Sequence, residues 1–330
     1  MSDTTPLVAL PHRFRRLRRS ASLRALVRET RLSVDDLILP LFVEEGIAAP
    51  VPIPSMPGVV RHTEAGLAEA VAAAWASGIR AVLLFGVSHR KDSVGSDSWH
   101  PDGLLARMVR SARAAAPGMV VISDNCFCEY TDHGHCGVVE GDEVANDATL
   151  VNLQRQALAA ARAGVDMLAP SGMMDGMIRA MRQALDAEGY SGLPIMSYST
   201  KFASAFYGPF RDAVDSNFKG TRAAYQMDIA NGREALAESL QDEAEGADIL
   251  MVKPGLAYLD VLAAIRARSQ RPLAVYQVSG EYAMMKAAVA AGVMDERALV
   301  LETMTAFRRA GADLIITYYA ERIAEWLRSG

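Results

Sequence analysis

Eight short apolar segments alternate with helical segments along this 330-residue chain, and the alternation limits the folds that it can adopt. The apolar segments predict strands buried on both faces, as a parallel sheet requires. Eight strand–helix units in one chain favour a closed (β/α)8 TIM barrel over an open doubly wound sheet. A dinucleotide-binding fold would also need a Gly-x-Gly-x-x-Gly segment after the first strand, and none is there. The strands are predicted at residues 37–43, 81–85, 120–123, 165–169, 194–198, 249–252, 273–278 and 313–318.

The chain is predicted to start with an extended basic arm at residues 1–35, followed by a single catalytic barrel at residues 36–330. Eight arginines and one acid, Glu29, lie between Arg13 and Arg31. Such an arm could contact RNA, a membrane surface or an organelle importer. We favour contact with a neighbouring subunit, because the chain has a formal net charge of -5 and the arm lacks an aromatic platform. We expect no nucleic-acid partner and, because charge or glycine interrupts every apolar run, no membrane partner.

The chain contains three cysteines, Cys126, Cys128 and Cys136, which lie within eleven residues of one another. An odd number of thiols cannot pair off fully, which disfavours a secreted disulfide framework and predicts a reducing cytoplasm. Three thiolates at this spacing suit zinc, and three protein ligands with an open fourth position are typical of a catalytic site. The alternatives are a structural zinc site completed by His133 or His135, and three thiols without a metal.

Two of the five lysines in the chain, Lys201 and Lys253, fall at the ends of neighbouring predicted strands. The carboxyl ends of barrel strands meet at one face, where such enzymes carry their reactive groups. Two amines at that face lower each other's proton affinity. One can then attack a ketone to form an imine, while the other carries a proton or forms a second imine. A lone lysine at a strand end would more often extend to water at the barrel rim.

A long segment at residues 201–231 is predicted to form an active-site lid, because it carries several aromatic residues and arginines. It could instead be a surface excursion packed on the barrel or on a partner subunit. The residues alone therefore predict imine formation on a keto substrate that bears a carboxylate, assisted by zinc as a Lewis acid. A class I aldolase would need no cysteine cluster, and a zinc-stabilised scaffold would leave the two lysines without a role. The other polar residues predicted at strand ends are Asp124, Ser171, Ser279 and Tyr318.

Three long segments resemble those of the porphobilinogen synthase family, also called 5-aminolevulinate dehydratase. They are GADILMVKPGLAY at residues 246–258, MSYSTKFASAFYGPFRDA at 196–213 and DNCFCEYTDHGHCG at 124–137. The likeness extends from RRLRR near Arg15 to YYAERIAEWL near the carboxyl terminus, and so covers nearly the whole chain. The cysteine loop is similar to that of zinc-type members, whereas magnesium-type relatives carry aspartates and alanine there.

The resemblance implies that the chain condenses two 5-aminolevulinate molecules into porphobilinogen with loss of two waters, an early step of tetrapyrrole (heme) biosynthesis. It implies an imine between Lys253 and the P-side substrate, engagement of the A-side substrate by Lys201, and a catalytic zinc on the three cysteines. It also implies a homo-octamer, with magnesium at a subunit contact for which Glu238 is a candidate, although a solvated helix face is the favoured explanation of that glutamate. For Asp124 and Ser171 the resemblance implies a part in proton movement in the A-side pocket. It implies that the A-side carboxylate is bound by Arg211, Arg222 and Gln226. The P-side carboxylate would be bound by Ser279 and Tyr318.

Overall fold

The structure, a computed structural model, describes residues 12–214 and 221–329. Phe218 and Lys219, which belong to the predicted lid, lie outside the described residues. Within the described ranges, no helix is both long enough and apolar enough to cross a membrane.

The chain divides into two compact units, Met1–Arg31 and Leu32–Gly330. In the first unit, Phe14–Arg18 form a 3-10 helix and Ala21–Leu26 form helix α1. The side chain of Ser20 accepts a hydrogen bond from the first turn of α1 and so caps its start. Neither of these helices has a buried residue.

The strands of the second unit alternate with helices in chain order. They are β1 (Leu37–Glu44), β2 (Val51–Pro52), β3 (Val60–His62), β4 (Ala81–Val87), β5 (Val120–Asn125), β6 (Val139–Glu140), β7 (Glu143–Val144), β8 (Met167–Pro170), β9 (Met196–Lys201), β10 (Ile249–Lys253), β11 (Leu273–Tyr276) and β12 (Leu314–Ile316). Eight of them pair in the order β8-β5-β4-β1-β12-β11-β10-β9, and a parallel bridge between Leu168 and Ile195 closes the ring. The predicted (β/α)8 barrel is therefore confirmed, and the pairs β2–β3 and β6–β7 are short additional hairpins.

Helices connect the barrel strands and pack around them. They are α2 (Glu64–Ala76), α3 (Leu104–Ala115), α4 (Asn146–Ala163), α5 (Met177–Ala187), α6 (Gly208–Ala213), α7 (Gly232–Glu245), α8 (Leu259–Arg266), α9 (Ser279–Ala290), α10 (Glu296–Ala310) and α11 (Ala320–Arg328). Side-chain caps fix several starts: Thr63 accepts from the N–H of Gly66 at α2, and Asp295 accepts from that of Ala298 at α10. Gly246 ends α7 with a φ of 111°, which glycine adopts without steric cost.

The barrel interior is filled by side chains, among them a group of aromatic rings that we call the aromatic floor. The ring of Phe42 lies 5.3 Å from that of Phe85 and 6.0 Å from that of Tyr318. The rings of Tyr198 and Tyr276 lie 6.4 Å apart. These five residues pack beneath the strand ends that carry the two lysines, so the site has an apolar base.

Strand β9 extends further than the apolar pattern predicts, because the protein satisfies its polar side chains internally. The apolar pattern stops at residue 198, whereas β9 continues to Lys201, the strand end predicted for this lysine, with every residue buried. The hydroxyls of Ser199 and Thr200 lie 3.0 and 2.8 Å from that of Ser239 on α7. These hydrogen bonds offset the cost of burying hydroxyl groups. They allow the strand to carry Lys201 to the same barrel face as its neighbour.

Candidate active site

Lys201 and Lys253 end the neighbouring strands β9 and β10 and are register partners in the parallel ladder. Each residue is only 5% exposed. Lys253 Nζ lies 4.4 Å from the centre of the Tyr276 ring and 4.9 Å from that of Tyr198. Lys201 Nζ donates a hydrogen bond to the backbone oxygen of Ser171 at 2.5 Å. The structure therefore brings the two predicted lysines together on one wall of a shared cavity.

The two amines differ in proton affinity because their surroundings differ. Burial and the neighbouring charge of Lys201 lower the pKa of Lys253 to about 7. Burial also acts against a charge on Lys201, but the negative charge of the cysteine cluster outweighs it and raises the pKa of Lys201. At neutral pH a large share of Lys253 is a free amine beside a charged Lys201. This arrangement can combine nucleophilic attack with proton donation.

The three cysteines form one buried cluster in the loop after β5. Their Sγ atoms all lie within 4.8 Å of one another, and those of Cys126 and Cys128 are 3.3 Å apart. Hydrogen bonds from these two thiols lower the pKa of Cys136 although burial opposes the change. Hydrogen bonding to Cys136 and burial in turn raise the pKa values of Cys126 and Cys128. A cluster of thiols that can hold negative charge is a good donor set for a soft or borderline metal ion.

The two histidines of the cysteine loop contact other groups. His133 Nε2 lies 3.1 Å from the backbone oxygen of Ser93, and His135 Nδ1 lies 3.3 Å from the hydroxyl of Tyr225. In the part of the chain that the structure describes, the group of mutually close donor atoms that holds the three sulfurs includes no histidine nitrogen. This geometry argues against a histidine as the fourth ligand, while the carboxylates of Asp124 and Glu129 form a second group of close donor atoms with Cys126.

Asp124 lies near the end of β5, with one carboxylate oxygen bound and the other available. Its Oδ2 accepts a hydrogen bond from Ser171 Oγ at 3.2 Å. Its Oδ1 is buried and has no hydrogen-bond partner among the described residues. Burial and the charge of Glu129 raise the pKa of Asp124 to about 7, although both lysines oppose the rise. Asp124 can therefore hold or release a proton near neutral pH.

The described part of the predicted lid, residues 201–214 and 221–231, includes α6, a helix that the sequence did not predict. Phe210 on this helix packs against the aromatic floor, and its ring centre lies 5.6 Å from that of Phe85. The hydroxyl of Tyr207, just before the helix, donates to the backbone oxygen of Lys253 at 3.2 Å. These contacts hold α6 over the cavity and place Arg211 in its lining.

The returning part of the lid contacts the cysteine loop. Arg222 Nη2 donates to the backbone oxygen of Gly134 at 2.8 Å, next to the contact between Tyr225 and His135. A lid arginine at a cavity that already holds two amines creates a positive surface suited to a carboxylate. The predicted residues that line this cavity are Cys128, Ser171, Lys201, Arg211, Arg222, Gln226 and Lys253.

Ser279 and Tyr318 are not among the residues that line the cavity and instead lie on the other side of Lys253, after β11 and β12. Ser279 Oγ is 3.5 Å from the backbone oxygen of Phe206 in the lid. The hydroxyl of Tyr318 is 3.1 Å from that of Tyr276, the residue whose ring lies beside Lys253 Nζ. Lys253 therefore has Lys201 on one side and a group of hydroxyls on the other.

Glu238 lies apart from these residues, on α7, where it lines a separate acidic cleft with Asp175, Asp242 and Glu245. Burial and the neighbouring acids raise the pKa of Glu238 to about 7. Asp242 is held in the cleft by a hydrogen bond from Ser197 Oγ at 2.5 Å. The half-buried position differs from the solvated helix face that was the alternative interpretation of this glutamate.

Three buried residues near the lysines were missed by the sequence analysis: Glu129, Tyr198 and Glu281. Glu129 accepts a hydrogen bond from the thiol of Cys128 at 3.2 Å and lines the cavity. The one sequence signal for Glu129 was its position directly after Cys128, a candidate metal ligand. Tyr198 lies in a predicted strand and Glu281 lies in a predicted helix, so neither pattern distinguishes them from structural residues.

Comparisons with known proteins show the family to which the chain is similar. The family model described as delta-aminolevulinic acid dehydratase matches residues 11–326. The enzymes of that name from Escherichia coli (strain K12) and Helicobacter pylori (strain J99) are 55% and 52% identical to the chain over 321 and 319 residues. These matches cover 97% and 96% of this chain and 98% of each relative. The Toxoplasma gondii ME49 enzyme, whose crystal structure contains the reaction product porphobilinogen, matches with a TM-score of 0.94 and 46% identity over 96% of this chain and 92% of that chain.

Proposed function

The chain belongs to the delta-aminolevulinic acid dehydratase family, and we propose that Lys201 and Lys253 each hold one of the two substrate molecules that it condenses. The enzyme is a lyase that joins two molecules of 5-aminolevulinate into porphobilinogen with loss of two waters. The observation that supports the proposed roles is the register pairing of the two buried lysines at one end of the barrel. Two keto substrates that must react with each other need two such sites side by side.

Lys253 is the proposed nucleophile for the P-side substrate. Its lowered pKa leaves a lone pair free at neutral pH, and this pair attacks the ketone carbon of 5-aminolevulinate. Loss of the former carbonyl oxygen as water gives an imine, which withdraws electrons from the neighbouring carbon. The rings of Tyr198 and Tyr276 keep bulk water from the nitrogen, so the imine is protected from early hydrolysis.

Lys201 engages the A-side substrate, beside the cysteine cluster. Its hydrogen bond to the backbone oxygen of Ser171 fixes the direction of the amine. Asp124 and Ser171, which share a hydrogen bond, assist proton movement there because the pKa of Asp124 is raised to about 7. A charged Lys201 can donate its proton to a substrate oxygen and, once neutral, can itself form an imine.

Zinc is the proposed catalytic metal, with Cys126, Cys128 and Cys136 as its ligands. The fit rests on three buried sulfur atoms that lie within 4.8 Å of one another, since thiolates select zinc over magnesium. When bound, zinc would supply a Lewis acid that polarises an oxygen of the A-side substrate. The chain's own contribution is to hold the thiols in one buried cluster, with Gln156 donating to the backbone oxygen of Cys126 at 2.8 Å.

The substrate carboxylates are assigned to opposite sides of the lysine pair. Arg211, Arg222 and Gln226 bind the A-side carboxylate from the lid, which their place in the cavity lining supports. Ser279 and Tyr318 bind the P-side carboxylate, which their position on the other side of Lys253 supports. The two substrate molecules then meet between the amines of Lys201 and Lys253.

Assembly, a second metal and location are further proposals. We propose a homo-octamer in which the basic arm contacts a neighbouring subunit, and the eight arginines from Arg13 to Arg31 support that role. The acidic cleft at Glu238 is the proposed magnesium site, since carboxylates are the ligands that this ion prefers. Three cysteines without a disulfide support a reducing, cytoplasmic compartment.

The test is to add borohydride with 5-aminolevulinate and to map the reduced adducts by peptide mass spectrometry. The wild-type protein is expected to carry an adduct on Lys253, and Lys253→Met is expected to lose both that adduct and turnover. Lys286→Met is the control, because Lys286 pairs with Glu296 and lies outside the cavity. Turnover without any lysine adduct would overturn the imine mechanism.

A further inference from the structure

Glu281 is a completely buried carboxylate close to the proposed P-side site, with 0% exposure. Its Oε2 accepts a hydrogen bond from the backbone N–H of Val278 at 2.9 Å. Its Oε1 accepts one from the N–H of Leu256 at 2.6 Å, and the N–H of Gly255 points to Oε2 at 3.5 Å. A buried carboxylate is stable only when such donors replace water.

The donors come from two segments that meet beside Lys253. Gly255 and Leu256 form the turn that leaves β10 directly after Lys253 and Pro254. Val278 directly precedes Ser279, the first residue of α9. One carboxylate therefore joins the turn behind the proposed nucleophile to the residue before the proposed P-side hydroxyl.

Helix capping explains only part of this arrangement. A glutamate in the first turn of a helix commonly reaches back to the N–H just before the helix, as Glu281 does to Val278. Capping does not explain the short bond from Oε1 to Leu256, which belongs to another strand–helix connection. Nor does it require burial, since a capping side chain at the surface is fully effective. The second contact points to a role beyond the helix.

We propose that Glu281 is a positioning residue for the reaction, which fixes the distance between Lys253 and Ser279 so that one substrate can reach both. This inference rests on the proposed function, because it needs Lys253 as nucleophile and Ser279 as a carboxylate ligand. The backbone oxygen of Lys253 is held separately by the N–H of Phe202 at 3.1 Å and by the hydroxyl of Tyr207. Glu281 thus holds the other part of this turn, at Gly255 and Leu256.

Two conservative variants separate the effect of the charge of Glu281 from the effect of its side-chain length. Glu281→Gln keeps the size of the side chain but replaces one accepting oxygen by an NH2 group, which faces backbone donors and repels them. Glu281→Asp keeps the charge and is one methylene shorter, so it can accept from Val278 but cannot also reach Leu256. Glu281→Gln keeps one accepting oxygen and so loses either the hydrogen bond from Leu256 or those that Oε2 accepts, whereas Glu281→Asp keeps the hydrogen bond from Val278 and loses the one from Leu256.

The experiment measures borohydride trapping on Lys253 together with the KM and kcat for 5-aminolevulinate and the Tm of each variant. Glu281→Gln and Glu281→Asp are each expected to slow trapping on Lys253 at least tenfold and to raise KM. The matched control is Asp295→Ala, which removes the cap of α10 without contacting either segment. It is expected to lower Tm while trapping on Lys253 stays at the wild-type rate.

The outcomes distinguish this inference from the proposed function. If the wild-type protein itself forms no adduct on Lys253, the imine mechanism fails, and the inference fails with it. If the wild-type adduct forms and both Glu281 variants trap at the wild-type rate, the positioning role alone is overturned. Should Glu281→Gln fail to fold, Glu281→Asp decides the question, since it keeps the charge and the cap. The positioning role would likewise be overturned if the trapping rate fell only in proportion to the decrease in Tm and Asp295→Ala showed the same relation.

Discussion

Lys253 lies directly opposite Lys201 in the parallel ladder of β9 and β10, yet the two amines differ in proton affinity. Burial and the charge of its partner lower the pKa of Lys253. The cysteine cluster raises the pKa of Lys201 against the effect of burial. Two like groups thus differ in proton affinity through their neighbours, as the proposed roles of nucleophile and proton donor require.

The pH dependence of imine formation follows from this pair. Because the pKa of Lys253 is about 7, the trapping rate should rise as pH increases through about 7, where the free amine forms. Lys201→Met removes the neighbouring charge, so the pKa of Lys253 should rise and the curve should move to higher pH. The measurement is the pH profile of borohydride trapping on Lys253, with Lys286→Met as control. A curve that stays in place or moves to lower pH would contradict the assigned charge coupling.

The cysteine cluster allows a direct count of ligands, because Cys126, Cys128 and Cys136 are the only cysteines in the chain. A chromogenic thiol reagent should detect about three reactive thiols after a chelator has removed zinc, and far fewer when zinc is bound. Cys128→Ala should remove zinc and lower turnover by roughly 100-fold or more, since loss of even an indirect metal contact costs about 10–100-fold. Elemental analysis of the same samples gives the zinc content. Wild-type turnover with metal-free protein would refute a catalytic zinc.

Gly280 allows the lid to approach the start of α9. A Cβ at this position would lie 2.4 Å from the backbone oxygen of Phe206 and 2.8 Å from its Cα, so backbone would have to move. Gly280→Ala is therefore expected to weaken lid closure by about 1–3 kcal/mol and to raise KM. Gly208→Ala is the matched control, because a Cβ there has no neighbour within 4 Å among the described residues. Equal KM values for the two variants would show that the close approach is not needed for binding.

Arg61 on β3 connects the barrel rim to the lid helix. Its Nη1 donates to the backbone oxygen of Asp212 at 3.0 Å, and its Nε lies 2.7 Å from the carboxylate of Glu44. Because Asp212 adjoins Arg211, we expect Arg61→Met to raise KM about tenfold, the loss of one charged hydrogen bond of about 1.5 kcal/mol. Steady-state kinetics measure this, and kcat should change less than KM. Arg110→Met, at an exposed ion pair with Asp102, should leave both constants unchanged.

The basic arm can be tested by deleting residues 1–31, which end where the barrel unit begins. We expect the shortened protein to fold as a barrel but to sediment as a smaller assembly, because the arginines proposed to contact a neighbouring subunit are gone. Sedimentation velocity measures the change. An unchanged sedimentation profile would argue that the arm has no part in assembly.

The sequence predicted the features that depend on local pattern. The strand–helix alternation and the turn signals after Lys253 located the barrel, and the cysteine spacing indicated the cysteine cluster. Local pattern did not predict α6, whose six residues are too few for a helical period, or the β2–β3 hairpin that carries Arg61. It also treated Glu281 as an ordinary helix residue. Its role depends on a turn 25 residues earlier in the chain, and contacts of that separation leave no mark on local composition.

The contact between Arg222 and Gly134 means that the lid and the cysteine loop are not independent parts. Arg222 and Cys128, a proposed zinc ligand, line the same cavity. We therefore expect the exchange of metal and the exchange of substrate to be coupled through Arg222. Metal loss should be slowest while the pocket is full, so a chelator would act mainly on the resting enzyme between turnovers.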